Sequence, residues 1–287
     1  MKRILILVAL VVIAGIAGIV RSHSKASDFD RLVARNVTDQ AREEIRQSYQ
    51  LAPGASVELA NINGAIKIET ADGNNAEVYV ERLASSEQAL GRRKVNIEAN
   101  ANSLRIRGEK GDVGFFERLF GSSPSERVTL KLPRQIALHT KGINGSVIVG
   151  ELDGPVDVRG VNGRVQIAGA AGRAEFNGIN GNISVGLKQL NSEGVVLGGI
   201  NGNIELQLAA GTNADFDAHG INGNVASDLS DVMIRRSKHG TYTGQIGTGG
   251  SSAIAAKGIN GNIRLTRSAL SSESSQAVIK ERDSSVK

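Results

Sequence analysis

Cysteine and tryptophan are absent from the 287-residue sequence, and the other aromatics are few, three tyrosines and six phenylalanines. Without cysteine there is no disulfide framework, no thiolate metal site and no lipidated N-terminal cysteine. So little aromatic volume argues against a thick globular core and for thin layers of Ile, Val, Leu and Ala. It also weakens sugar binding, which commonly relies on stacking against aromatic faces. Net charge is nearly missing too. The formal +5 owes most to Lys2, Arg3, Arg21 and Lys25, and the remaining residues carry 30 basic against 29 acidic side chains. That balance leaves no electrostatic footprint for nucleic acid.

Glycine, by contrast, is abundant, and much of it sits in one motif. Gly-Ile/Val-Asn-Gly, followed two residues later by Ile or Val, occurs around Asn144, Asn162, Asn180, Asn201, Asn222 and Asn260. A weaker copy, Asn61-Ile62-Asn63-Gly64, lies upstream. From Asn144 to Asn222 the spacing is 18, 18, 21 and 21 residues. A period of that length marks a stacked-repeat architecture, in which one unit cannot bury its apolar face alone.

Counting from each repeat Asn as zero, −1 and +3 are always Ile or Val, +5 is apolar except at Ser227, and −4 and −6 are mostly apolar. The inward set is thus even before the motif and odd after it. A straight strand cannot do this, because its side chains alternate faces. The switch falls on the glycine at −2, which adopts backbone angles closed to other residues. Asn and the glycine at +1 are the other types tolerant of left-handed conformation. The motif therefore reads as a corner between two strands, built by Asn63 and Gly64; Gly142, Asn144 and Gly145; Gly160, Asn162 and Gly163; Gly178, Asn180 and Gly181; Gly199, Asn201 and Gly202; Gly220, Asn222 and Gly223; and Gly258, Asn260 and Gly261.

The competing reading is an antiparallel meander of Asn-Gly hairpins, Asn-Gly being a strong hairpin signal. In such a hairpin −1 would share a face with +2, which holds Ala65, Ser146, Arg164, Asn182, Asn203, Asn224 and Asn262. A corner explains the invariant Ile or Val better. The expected fold is all-β, a parallel β-solenoid of 18–21-residue coils, with the repeat asparagines stacked into a hydrogen-bonded ladder.

Residues 1–26 read as a signal peptide or membrane anchor: Lys2 and Arg3 precede an unbroken apolar run over residues 4–20. Both cleavage and retention remain open, and either exports the body. Residues 27–42 form a linker. An N-terminal β cap region spans 43–137, with alternating strands at 44–51, 56–59, 66–69, 76–83, 94–99, 103–107 and 126–132. The repeats occupy 138–266, interrupted at 231–250. A Ser-rich polar tail occupies 267–287.

The stretch Val57 to Ile68, with Leu130-Lys131-Leu132-Pro133, Gly244-Gln245-Ile246-Gly247 and Ile259-Asn260-Gly261-Asn262-Ile263, resembles the bacterial putative-adhesin β-strand repeat family, a domain class of unknown function. The resemblance spans about residues 43–267. It implies a secreted or membrane-tethered bacterial β-solenoid with no agreed catalytic residues. The lack of a lipid-anchoring cysteine departs from a lipoprotein form.

No motif for chemistry stands out. His23, His139, His219 and His239 lack metal-ligand spacing, and neither a phosphate loop nor a calcium-binding β-roll repeat is present. The carboxylates Asp153, Asp157, Glu175, Glu193, Glu205, Asp215 and Asp217 form no obvious pair of the kind glycoside hydrolysis needs. No catalytic residue, cofactor or metal is expected. Two surface features remain. Lys141, Arg159, His219 and Lys257 share the outward −3 position, as a basic stripe or a solvated face. Phe115, Phe116, Leu119 and Phe120 either cap the first coil or contact a membrane or partner. The expected function is an exported, non-enzymatic envelope scaffold or adhesin-like binding protein, its partner an envelope protein, glycan or membrane surface. A polysaccharide-active enzyme and a self-associating structural protein are the alternatives.

Overall fold

The computed structural model describes residues 41–111, 123–190, 192–250 and 252–268. The apolar leader, nearly all of the linker, the Phe115–Phe120 segment and residues 269–287 of the tail lie outside them. Period-two alternation bounded by Gly and Pro becomes strand wherever it was expected. The N-terminal part holds β1 (Ala41–Gln50), β2 (Ser56–Ala60), β3 (Gly64–Ala71) and β4 (Asn75–Ala84), then β5 (Arg93–Asn100), β6 (Ser103–Lys110) and β7 (Ser125–Pro133). Between β4 and β5 lies a one-turn helix, α1 (Glu87–Leu90), which no sequence period announces. Ser86 caps it, its hydroxyl accepting from the Ala89 N–H at 3.2 Å.

The repeats follow as strand pairs, one on each side of an Asn corner: β8 (Ala137–Ile143) and β9 (Val147–Leu152), β10 (Val156–Asn162) and β11 (Val165–Ala170), β12 (Ala174–Asn180) and β13 (Ile183–Leu187), β14 (Val195–Asn201) and β15 (Ile204–Leu208), β16 (Ala214–Asn222) and β17 (Val225–Ser227). Then come β18 (Val232–Arg236) and β19 (Tyr242–Ile246), and finally the pair β20 (Ala253–Asn260) and β21 (Ile263–Arg267).

The strands form two large mixed sheets. One runs β1-β4-β7-β3-β9-β11-β13-β15-β21-β17, the other β18-β19-β16-β20-β14-β12-β10-β8-β2-β6-β5. The two strands flanking each Asn corner belong to different sheets, so the Asn-Gly hairpin meander is contradicted. Repeat strands pair in parallel with the same position of a neighbouring repeat, as Val156 with Ala174 and Asn162 with Asn180. The expectation of a wholly parallel arrangement also needs correction. β1 with β4, β4 with β7, and β5 with β6 are antiparallel at one end, and β16 with β19 and β18 with β19 at the other. Antiparallel strands can turn back tightly and so finish a stack, whereas a parallel neighbour needs a crossover.

Two features of order differ from a simple reading along the chain. The interruption at 231–250 contains the β18–β19 hairpin, which extends the sheet past β16. The last repeat in sequence is not last in space: β20 lies between β14 and β16, and β21 between β15 and β17. Within the N-terminal region β2 and β3 run parallel inside the stack, each between two neighbours. At the tail, Arg267 still belongs to β21 and Ser268 is buried.

The inward columns meet in one apolar cluster fed by both sheets. Position −1 is buried in every copy, from Ile62 to Ile259. Large and small side chains trade places along a coil: Phe176 accompanies Ala174, Phe216 accompanies Ala218, and Ile254 accompanies Ala256, all buried. Such compensation keeps a layer of fixed thickness filled.

Candidate functional site

At −2, Gly142, Gly160, Gly178, Gly199, Gly220 and Gly258 all have φ between 57° and 67°. This left-handed step carries the parity switch. In the upstream copy the same place is taken by Asn61, at φ 55°, a residue absent from the expected corner set although Asn tolerates that region. The glycine at +1 serves a different need. Its φ lies at 153–159° in Gly64, Gly145, Gly163, Gly181, Gly202, Gly223 and Gly261. A Cβ on Gly163 would press into the carbonyl of Gly145, and the same collision recurs from coil to coil. The repeat asparagines do not have positive φ, so the tolerance expected of all three types is used at −2 and at +1 and not by the Asn between them.

What the Asn does is form a ladder. Nδ2 of Asn144 donates to Oδ1 of Asn63 at 2.9 Å, and Asn162, Asn180 and Asn201 each donate to the preceding Asn at 3.1 Å. Asn260 then donates to Asn201 at 3.0 Å and Asn222 to Asn260 at 2.9 Å. A second column runs beside it, with the backbone N–H groups of Asn203, Asn262 and Asn224 donating at 3.0 Å to Oδ1 of Asn182, Asn203 and Asn262. Past Asn63 the next coil has no motif, and Glu126 replaces it. Its buried carboxylate accepts from the Asn63 N–H at 2.8 Å and from Arg93 Nε at 3.1 Å, while Asn63 Nδ2 donates to the Pro124 carbonyl at 2.8 Å. Neither Glu126 nor Arg93 has a signature in sequence, because their partners lie tens of residues away.

The corner is short in every copy; the opposite turn absorbs the change in period. It spans residues 153–155 and 171–173 in the shorter repeats, and 209–213 in one of the longer ones. Beside it Lys188 Nζ contacts Glu151 at 3.1 Å and Asp153 at 3.3 Å, and Arg134 reaches Glu151 at 3.1 Å. Partial burial works against the Lys188 charge, but hydrogen bonds to Glu151 and Asp153 outweigh it and hold the ammonium above its ordinary pKa.

On the other sheet the −3 column runs, in spatial order, Lys141, Arg159, Asn177, Gly198, Lys257 and His219. It is no continuous basic stripe, since the neighbouring −5 column supplies acids. Arg159 reaches Asp157 at 2.7 Å and Glu175 at 3.0 Å, Arg173 reaches Glu175 at 2.7 Å, and His219 reaches Asp217 at 2.9 Å. The hydrogen bond to Asp157, then the charges of both carboxylates, raise the Arg159 pKa above its ordinary value. Asp157 and Glu175 are register partners, yet Arg159 bridges them on an open sheet face. Asp153 is tied to Lys188, Asp215 accepts from the Gly250 N–H at 3.2 Å, and Glu205 meets Gln207 at 3.3 Å. Among the described residues no group of three or more His, Cys, Asp or Glu is assembled to hold a metal ion. No helix among them is long and apolar enough to cross a membrane.

The expected contact residues Phe115, Phe116, Leu119 and Phe120 fall outside the described residues. At the far end of the stack lies a groove of about 390 Å³, formed where β17 meets the β18–β19 hairpin.

Fold and surface together define a nearly all-β repeat protein of two large mixed sheets, its repeats linked by an amide ladder. No known family model and no curated protein matches the sequence. Solved structures similar to it include a putative cell adhesion protein from Clostridium sporogenes ATCC 15579, at 11% identity over 78% of this chain and 99% of that one, TM-score 0.39. A putative adhesin from Bacteroides fragilis NCTC 9343 shows 11% identity over 77% and 96%, TM-score 0.35. A putative adhesin from Parabacteroides distasonis ATCC 8503 shows 11% identity over 78% and 97%, TM-score 0.31. Similarity this low carries no functional argument.

Proposed function

We propose that this chain is an exported, non-enzymatic scaffold of the cell envelope with adhesin-like binding, its body a parallel β-solenoid of two strands per coil finished by antiparallel strands. The observation that carries the reading is the pairing of charges across the broad sheet face. Arg159, Arg173, Asp157 and Glu175 hold one another in a fixed grid, and the asparagine ladder holds the coils beneath them. A rigid polar surface of this kind suits presentation and contact. Catalysis by acid and base instead needs groups set apart with their pKa values tuned to the task.

Export rests on Lys2, Arg3 and the apolar run 4–20. Whether the leader is removed or kept as an anchor, the body at 43–266 is the part that meets partners, with 43–137 closing one end of the repeats at 138–266. Corner residues such as Asn162 and Gly163 are structural in this reading. Phe115, Phe116, Leu119 and Phe120 form a contact site, and the partner is an envelope protein, a glycan or the membrane surface.

Cell fractionation tests the location: the full chain should travel with the envelope fraction and be digested by protease that reaches only that compartment. Recovery in the cytosol would overturn it. Binding is tested by sedimenting the protein with isolated envelopes, where Arg159→Glu combined with Arg173→Glu should weaken association at least several-fold. Association unchanged by these substitutions would remove the sheet face as the contact surface.

A further inference from the structure

The two sheets end unevenly at the C-terminal side of the stack. Beyond the last Asn corner one sheet continues through β19 and β18, whereas the other stops at β17. β17 has three residues and a strand partner, β21, on one side only. Alternate residues of such an edge turn their N–H and C=O groups away from the sheet, toward whatever strand can be added. The overhanging hairpin leans across this edge, and the groove of about 390 Å³ opens between them. Val225 and Ser227 form one wall, while Val232, Ile234 and Arg236 form the other, with Tyr242 beneath. Val225, Val232 and Ile234 pack on the core yet stay only half buried.

The opposite end of the stack is guarded. Its edge strands carry charges along their length, Arg42, Glu43, Glu44 and Arg46 on β1 and Arg93, Lys94 and Glu98 on β5. Charged edges discourage strand addition. β17, Val225-Ala226-Ser227, has no charge at all.

Charge around the groove is one-sided. The nearby acids are engaged, Asp228 with Arg264 at 2.6 Å and Asp231 with Arg267 at 3.0 Å. Arg235, Arg236 and Lys238 have no acidic partner among the described residues. Arg236 lies over the Tyr242 ring, 5.6 Å from its centre, and Tyr242 is itself fixed by donating to the Gly223 carbonyl at 2.9 Å.

We propose that this end of the molecule takes an extended peptide strand from a partner protein, one with apolar residues at alternate positions and an acidic residue at its end. The strand pairs with the free edge of β17, lays its apolar side chains on Val225, Val232 and Ile234, and brings its carboxylate to Arg236. Strand addition supplies affinity through the backbone, while the alternate side chains supply selectivity. The charge of the groove selects this occupant over a neutral strand, and the inference stands whether or not the envelope reading does.

Fluorescence anisotropy on the full chain provides the test, with two labelled valine–threonine peptides as probes. One has aspartate at both ends, the other lysine. The aspartate peptide should bind saturably and about tenfold tighter than the lysine peptide. Arg236→Glu should reverse the preference, and Arg236→Gln should make the two peptides equal. Melting curves check that both variants fold. Binding of neither peptide, equal binding of both, or a preference unmoved by Arg236→Glu would overturn the proposal. So would a dimer in sedimentation that the aspartate peptide does not dissociate, because a second copy would then hold the groove.

Discussion

An asparagine amide can donate and accept in one line, so identical residues at one spacing chain without end. Asn201 shows both halves, donating to Asn180 and accepting from Asn260. Replacing it, Asn201→Ala, breaks two exposed bonds and should destabilise by about 1–2 kcal/mol. Chemical denaturation measures this, and an unchanged midpoint would mean the ladder contributes nothing. Ile200, buried at −1, is the harsher site: Ile200→Asp puts a charge into the dry column and should lose at least about 3 kcal/mol, enough to collapse the melt. An unchanged melting curve would contradict the inward assignment. Thr140 is a residue the pattern did not mark. It holds a −4 place otherwise apolar, and its buried hydroxyl has no hydrogen-bond partner. Thr140→Val should therefore raise stability by about 1 kcal/mol, since it removes a desolvated hydroxyl at constant shape. A loss of stability there would mean that the hydroxyl is satisfied after all.

At the scale of the element, the corner asks two different things of its glycines. Gly160 needs a left-handed φ of 61°, and Gly160→Ala should cost about 1–2 kcal/mol. Gly163 needs backbone contact with Gly145, which a methyl group blocks, so Gly163→Ala should cost more than Gly160→Ala. The reverse order in paired denaturation curves would contradict close stacking of the corners. The corners and inward columns were legible in the sequence because every copy repeats them, and the change of parity across the −2 glycine admits few geometries. Other elements were not legible, for physical reasons. α1 is a single turn, too short to show a period. The pairing of β4 with both β1 and β7 is long-range, and alternation alone does not choose a partner or a direction. Glu126 completes the ladder from a strand whose own pattern is ordinary.

Across the whole molecule, stability should respond to alkali in a defined direction. Burial raises the Tyr49 pKa above its ordinary 10.0, so the folded state keeps a proton that the unfolded chain releases. Lys188 is raised above its ordinary 10.5, and its contribution is full below that value and lost as pH climbs through the folded pKa. Both groups act in the same sense. The melting temperature should fall as pH rises past about 10, and Tyr49→Phe should reduce the fall. A melting temperature that rises over that range would contradict both assignments.

Order along the stack is the property that the sequence conceals most completely. Each repeat carries the same inward columns, so nothing within a copy names its neighbour, and the final copy fits anywhere in register. The structure inserts it between the fourth and fifth full copies. Val196 pairs with Ala255, and Ala255 with Asp217, on adjacent parallel strands. Because the chain has no cysteine, engineered pairs report this order without background. Neighbouring strands lie about 4.8 Å apart, within reach of a disulfide, whereas strands two places apart lie at about twice that, out of reach. Under mild oxidation Val196→Cys with Ala255→Cys should cross-link, and Val196→Cys with Asp217→Cys should not. A bridge in the second pair and none in the first would mean that the repeats stack in the order in which they are written.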